Sequence, residues 1–213
     1  MSDGFGRSAR EEAEYHKIVW PGTEIYQNKL GIRDAAELER AERMILSQRV
    51  ESGFPEDCTP YSYVGFRAMH RHMFQDIYEW AGEERKYTTA RGPAPFARPE
   101  RINDWMQKQF STLTPREMFQ MRRDRFGFSK TAAALVNEIN AAHPFIDGNG
   151  RARRQWLRAL SKDMGYSLDI RSEDRKRWND ASRIGFVDSN HDPMRDILSD
   201  RLTTRPRTHD HQR

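Results

Sequence analysis

A single cysteine, Cys58, in 213 residues rules out an internal disulfide and a cysteine-rich zinc site. No apolar run approaches the roughly 18 residues of a membrane span, and the N-terminus lacks the apolar core of a signal peptide. Internal repeats and low-complexity linkers are missing too, so the length fits one ordinary domain. The cytoplasm is the default location, although a signal read by a dedicated secretion machine would leave no such trace. Charge of one sign is not in large excess: 36 basic residues face 32 acidic ones, a formal +4. That suits an anionic partner without demanding nucleic acid.

What is present reads as helices. Hydrophobic residues are 36% and charged ones 32%, enough apolar material for a core under a heavily charged surface. Residues 1–14 are polar and predict a flexible arm or a short helix; the domain proper runs over 15–202. Asp34 with Glu37 marks a helix start, followed by Leu38, Ala41 and Ile45 at helical spacing. From Tyr61 to Ala81, Phe66, Met69, Met73, Ile77 and Trp80 predict one long amphipathic helix closed by Gly82. His70 and His72 on it read as packing or surface. Residues 84–98 break the pattern: Tyr87, Thr88 and Thr89 favour a strand, and Arg91-Gly92-Pro93 is turn chemistry, so a short hairpin is expected. Helices resume at Pro99, Thr114, Ser129, Arg151, Ser172 and Asp192, and the tail 203–213 reads as disordered. The fold class is all-α with one small hairpin.

The chemistry concentrates in His143–Arg154, HPFIDGNGRARR. Glycines at 148 and 150 free the backbone to gather N–H groups into a concavity that opens a helix, a natural seat for phosphate. Arg151 and Arg154 are neighbours on that helix and Arg158 continues the row; Arg153 points away and reads as a surface charge. Asp147 is either a carboxylate placed to hold Mg²⁺ on a polyphosphate or an Asx-turn cap. His143, before Pro144, is predicted extended at the mouth of the loop, either a general base or a cap on the preceding helix. Phe145 reads as an anchor. The stretch is neither a Walker A loop nor an EF-hand.

HPFIDGNGRARR resembles the signature of the Fic-domain family, HxFx(D/E)GNGRxxR, at every defined position. The likeness extends to Ile77–Gly82 followed by a hairpin with Arg91-Gly92 and Phe96, and to Trp20-Pro21-Gly22-Thr23 with Asn28–Ile32, about residues 15 to 200 in all. It implies the Fic fold, with a β-hairpin flap at about 84–98 and an active-site loop at 143–150, and transfer of AMP from ATP to a hydroxyl side chain of a target protein. By the same resemblance His143 would be the base and Asp147 the Mg²⁺ ligand. Gly148, Asn149 and Gly150 would form the anion hole, with Asn149 reaching the α-phosphate. Arg151 would bind the β-phosphate and Arg154 the γ-phosphate. Arg91, Gly92 and Phe96 would dock nucleotide and target from the flap, while Trp178 and Asn179 fall where an adenine pocket is built.

Two further consequences concern partners. Many family members carry an inhibitory [S/T]xxxE[G/N] helix whose glutamate meets the second arginine, here Arg154. Ser8 to Glu12 and Ser52 to Glu56 are near misses, so a separate small antitoxin is expected to supply that glutamate. The target could be a topoisomerase subunit, as for bacterial toxins of the family, or a small GTPase, as for effectors delivered into a host cell. Competing readings are a kinase or phosphocholine transferase on the same scaffold, and a basic helical module gripping nucleic acid. The intact motif favours AMP transfer. The helical spacing of the aromatics disfavours a nucleic-acid partner, and no membrane partner is expected.

Overall fold

Side-chain caps start five of the nine helices among the described residues, 7–92 and 94–204 of a computed structural model. Ser8 accepts from Glu11 N–H while Glu11 bonds back, a capping box that opens α1 (Ala9–His16). The N-terminal segment is thus helical from residue 9 rather than a loose arm; residues 1–6 lie outside the description. Asp34 accepts from Glu37 N–H at 2.8 Å and starts α2 (Ala35–Glu51). Ser62 caps α3 (Tyr63–Phe74).

The long helix predicted over 61–81 stops at Phe74. Beyond it the chain turns, because tertiary partners take its polar groups. The Ile77 carbonyl accepts Lys29 N–H at 2.8 Å, the Tyr78 hydroxyl bonds Glu42, and Tyr78 stacks on Trp80 at 4.2 Å. Gly82, with φ +83°, closes this turn instead of the helix.

The flap is smaller than the sequence suggested. Strands β1 (Ala90–Arg91) and β2 (Ala94–Pro95) pair antiparallel around Gly92, and Phe96 N–H donates to the Thr89 carbonyl. Tyr87 and Thr88 are not in the ladder. The Thr88 N–H and hydroxyl both go to the Glu11 carboxylate on α1, so a side chain occupies the place of a strand.

Pro99 opens α4 (Pro99–Phe110) and Thr114 caps α5 (Pro115–Arg123), as read from sequence. Asp124 then starts α6 (Arg125–Ala142), five residues earlier than Ser129 implied. After the loop come α7 (Asn149–Asp163), β3 (Tyr166–Leu168), a 3₁₀ turn at Ser172–Asp174, α8 (Arg175–Val187), α9 (Asp192–Arg201) and β4 (Leu202–Thr204). Strand β4 pairs antiparallel with β3, so Thr203 and Thr204 are ordered by backbone pairing rather than part of a disordered tail; residues 205–213 lie outside the description.

Helix α6 is the axis. Phe128, Ala132, Leu135, Val136, Ile139 and Ala142 along it are buried, and α4, α5, α7, α8 and α9 pack round it. Such surfaces carry most of the stability, about 1.5–3 kcal/mol for each large apolar side chain removed from water. The all-α class holds, with two minimal ladders attached. Among the described residues no helix is long and apolar enough to cross a membrane. The function of this packing is to fix the C-terminus of α6 and the N-terminus of α7 beside each other.

Candidate active site

The loop between α6 and α7 is held by its own side chains and by buried neighbours. Phe145 is fully buried against Phe66 and His70, the anchor the sequence implied. Asn149 accepts Phe145 N–H through Oδ1 at 2.9 Å and donates Nδ2 to the Phe145 carbonyl at 2.8 Å. Its amide is therefore a brace for the loop, and what it leaves for an anion is the backbone N–H at the start of α7.

Gly148 has φ +76°, and a Cβ there would stand 2.3 Å from Phe74 Cζ. Glycine is required twice over, by backbone and by space. Gly150 differs from expectation: it has no positive φ, and a Cβ would make only ordinary contact, 3.5 Å from Arg154 Nη1. Its small size keeps the first turn of α7 open toward that guanidinium.

His143 is left-handed, φ 45° and ψ 59°, not extended. Its N–H still closes α6 by donating to Ile139, and reversal at this residue sends the chain directly into the loop. For a residue with a Cβ that conformation stores on the order of 1–3 kcal/mol, held by its surroundings. The ring lies flat against Phe96 of the flap, centroids 3.9 Å apart and planes 10° from parallel. Burial, with Arg85, Arg153 and Arg91 nearby, pushes its pKa down to about 3, opposed by the Asn140 carbonyl. Nδ1 is sealed from solvent. The imidazole is neutral at physiological pH.

The arginines are unequal. Arg151 bonds the buried Glu42 of α2 and reaches Asp147 Oδ2 at 3.0 Å, with Phe74 under its guanidinium at 4.8 Å. Arg154 is half-buried, faces Arg158, Arg151 and Arg175, and is held below the usual arginine pKa by burial and these like charges; no described carboxylate pairs with it. Arg153, expected on the surface, is 5% exposed. It donates to the Val136 carbonyl and the Ser182 hydroxyl and lies over Trp178. Helical pitch alone did not reveal that α8 covers this side of α7.

Asp147 is part-exposed and stands alone: no cluster of three metal-binding side chains occurs among the described residues. One carboxylate beside a phosphate seat fits Mg²⁺, which usually takes its remaining ligands from substrate phosphates and water. Arg91 and Gly92 are exposed on the flap tip, and Phe96 is buried under it. Trp178 and Asn179 do not come together: the first is buried, the second exposed. A groove of about 1500 Å³ lies away from the phosphate seat. It runs along the other side of the flap, past Glu11, Arg67, Glu84, Phe96 and Asn103.

Three contributing residues were not read as part of the site, although His70 was read as packing or surface. Glu42 interrupts the apolar row Leu38–Leu46, and His70 the row Phe66–Phe74; a polar residue four places from two apolar ones was the available signal. His70 is wholly buried between Phe74 and Phe145. Its Nδ1 accepts Gly82 N–H at 2.9 Å, so Nε2 carries the proton and donates it to the Asp147 carbonyl at 2.9 Å. Arg85, discussed below, gave no periodic signal.

Comparison with known proteins agrees with this geometry. The Fic/DOC family model matches residues 60–161. A "Probable protein adenylyltransferase y4lH" of Sinorhizobium fredii is 35% identical over 83% of this chain and 91% of its own length. The protein adenylyltransferase VbhT of Bartonella schoenbuchensis is 31% identical over 86% of this chain but only 38% of its own length. Among solved structures, BepC of Bartonella tribocorum, a VirB-translocated effector crystallised with bound AMPPNP, superposes with a TM-score of 0.76 at 22% identity, covering 90% of this chain and 98% of that one. Helical architecture, loop and motif make this a nucleotide-seat protein built between two helices. The chain belongs to the Fic/DOC family.

Two measurements check the loop. In urea unfolding, Gly148→Ala loses about 2 kcal/mol or more through strain and the Phe74 clash, whereas Gly150→Ala is neutral or gains up to about 1 kcal/mol. Burial holds the His70 pKa near 3, below its unfolded value of about 6.5. Below pH 6.5 the unfolded chain takes up a proton the folded one refuses, so this contribution is intact above that pH and is lost as pH falls toward 3. The slope is up to about 1.4 kcal/mol per pH unit. His70→Gln, compared with wild type at pH 7 and pH 5, removes that part of the slope; an unchanged pH dependence refutes the assignment.

Proposed function

We propose that this chain is a protein adenylyltransferase that moves AMP from ATP to a Ser, Thr or Tyr hydroxyl of another protein and releases pyrophosphate. One observation carries the reading: a neutral, part-buried imidazole stands one loop ahead of a helix N-terminus lined by arginines. The family membership and the names of its relatives support it.

Attack by a neutral hydroxyl on a polyanion requires a proton acceptor, positive charge for the leaving group, and alignment. With Nδ1 sealed, His143 Nε2 is the nitrogen that receives the target's proton. The hydroxyl oxygen bonds the α-phosphorus, the bond to the oxygen bridging to the β-phosphate breaks, and its electron pair leaves with pyrophosphate. The N–H groups at Gly148, Asn149 and Gly150 cradle the phosphate chain, and Arg151 and Arg154 receive its outer groups. A bound triphosphate opposes the burial and cationic neighbours that keep His143 uncharged, which raises its proton affinity when a proton must be taken. Mg²⁺ on Asp147 would screen the triphosphate. The Phe96 ring on His143 places the flap, and any segment lying on it, over the reacting end of the site.

Arg154 without an acid partner also supports an inhibitor in trans. The near-miss glutamate Glu12 lies against Arg7, just ahead of α1, and His16 at its end. We assign the inhibitory glutamate to a separate small antitoxin-like protein. A topoisomerase subunit and a small GTPase remain the two target classes.

With ATP labelled at the α-phosphate, target protein becomes labelled; with the γ-label it does not, and γ-label on protein would make the enzyme a kinase. His143→Ala lowers α-labelling by about 10²–10⁴ while ATP affinity, read by calorimetry, stays near wild type. Labelling by that variant at the wild-type rate sinks the assignment of the base. The chain prepared together with the product of its neighbouring open reading frame labels target more slowly than the chain alone, and equal rates refute inhibition in trans.

A further inference from the structure

Arg85 is 1% exposed, and no described carboxylate pairs with it. Its guanidinium instead collects main-chain carbonyls from two elements. Nε donates to His143 O at 2.7 Å and Nη2 to Ala142 O at 3.1 Å, at the end of α6. Nη1 donates to Tyr87 O at 2.8 Å, and Nη2 also to Ala97 O. Tyr87 and Ala97 are the two legs of the flap. Backbone bonds run alongside, from Arg85 N–H to Pro144 O at 2.8 Å and from Ala97 N–H to Ala141 O at 3.0 Å.

Carbonyls at a helix C-terminus lack partners within the helix and carry the negative end of its dipole. A cation there is partly compensated without a carboxylate, and a planar fork reaches several oxygens that an ammonium point charge cannot. One buried side chain thus binds both legs of the hairpin to the residue that carries the imidazole.

We propose that Arg85 is a positioning residue for the transfer step, fixing the height and register of the flap over His143 so that a hydroxyl lying along the flap meets the imidazole. The proposal rests on the adenylyltransferase reading for its kinetic consequence only; the mechanical coupling stands by itself. Reaction rates fall about 100-fold for a displacement on the order of 1 Å, so loosening this joint acts on transfer and spares the phosphate seat on α7.

The test uses the whole chain with Arg85→Met and Arg85→Lys. The probes are Mg-ATP and the protein band that the wild type labels from α-labelled ATP in a bacterial lysate. Arg85→Met is expected to cut labelling at saturating ATP by about 100-fold, with KM for ATP within about threefold of wild type. Arg85→Lys, which keeps the charge but not the fork, recovers part of the rate. Hydrogen exchange of the Phe96 and Ala97 amides accelerates in both variants while that of α7 does not change. Wild-type labelling by Arg85→Met, or a rise in KM for ATP that accounts for the whole loss, overturns the proposal. If Arg85→Met does not fold, Arg85→Lys decides: unchanged exchange at Phe96 and Ala97 refutes the coupling. A wild-type chain that moves no α-label defeats the transferase reading, and the exchange arm still tests Arg85.

Discussion

The catalytic loop can face a polyanion because its own peptide groups are already satisfied. An irregular segment between two helices exposes donors and acceptors that would otherwise compete for the ligand or collapse onto it. Here Asn149 takes both main-chain groups of Phe145, His70 takes the Asp147 carbonyl, and Arg85 takes that of His143. What is left over is the first turn of α7, whose N–H groups no helix can satisfy internally. Buried side chains thus decide which backbone groups stay available.

The same economy governs charge. Three buried or half-buried arginines, Arg85, Arg153 and Arg154, have no carboxylate in contact among the described residues, and each is pushed below the usual arginine pKa by burial. Arg85 donates to carbonyls, and Arg153 donates through its two Nη atoms to a carbonyl and a hydroxyl, so they are structural cations. Arg154 has no such occupation, which marks it as a ligand-facing group. Arg85 and Arg153, with Arg91, help keep the His143 imidazole unprotonated until something negative arrives.

Local chemistry was legible in the sequence where local rules decide. Asp34, Thr114 and Pro99 start helices as their types demand, and the spacing of Ala132, Leu135, Val136 and Ile139 gives the face α6 buries. The motif announced the loop, the nest and the pair of arginines. Errors arose where distant partners decide. α3 stops early because Lys29 and Glu42 claim groups beyond Phe74, and β3 with β4 pairs residues far apart over three positions, too short for a periodic signal. Arg153 looked like surface because the sequence does not say which helix covers it. His143 was judged by its proline neighbour alone, whereas the packed end of α6 sets its backbone. Glu42 and His70 stood out as polar residues in apolar rows, but their partners, 109 and 77 positions away, had no local signature.

The Glu42 carboxylate has one more implication. It is tied to the Tyr78 hydroxyl and to Arg151, so that arginine is oriented in advance but half-neutralised, while Arg154 keeps its full charge. A product bearing two phosphates therefore meets one strong and one weakened clamp. Under the proposed assignment of Arg151 to the β-phosphate and Arg154 to the γ-phosphate, grip would be graded along the chain of phosphates, firm at the far end and light next to the bond that has just been cut, leaving the spent fragment to peel away from the inside out.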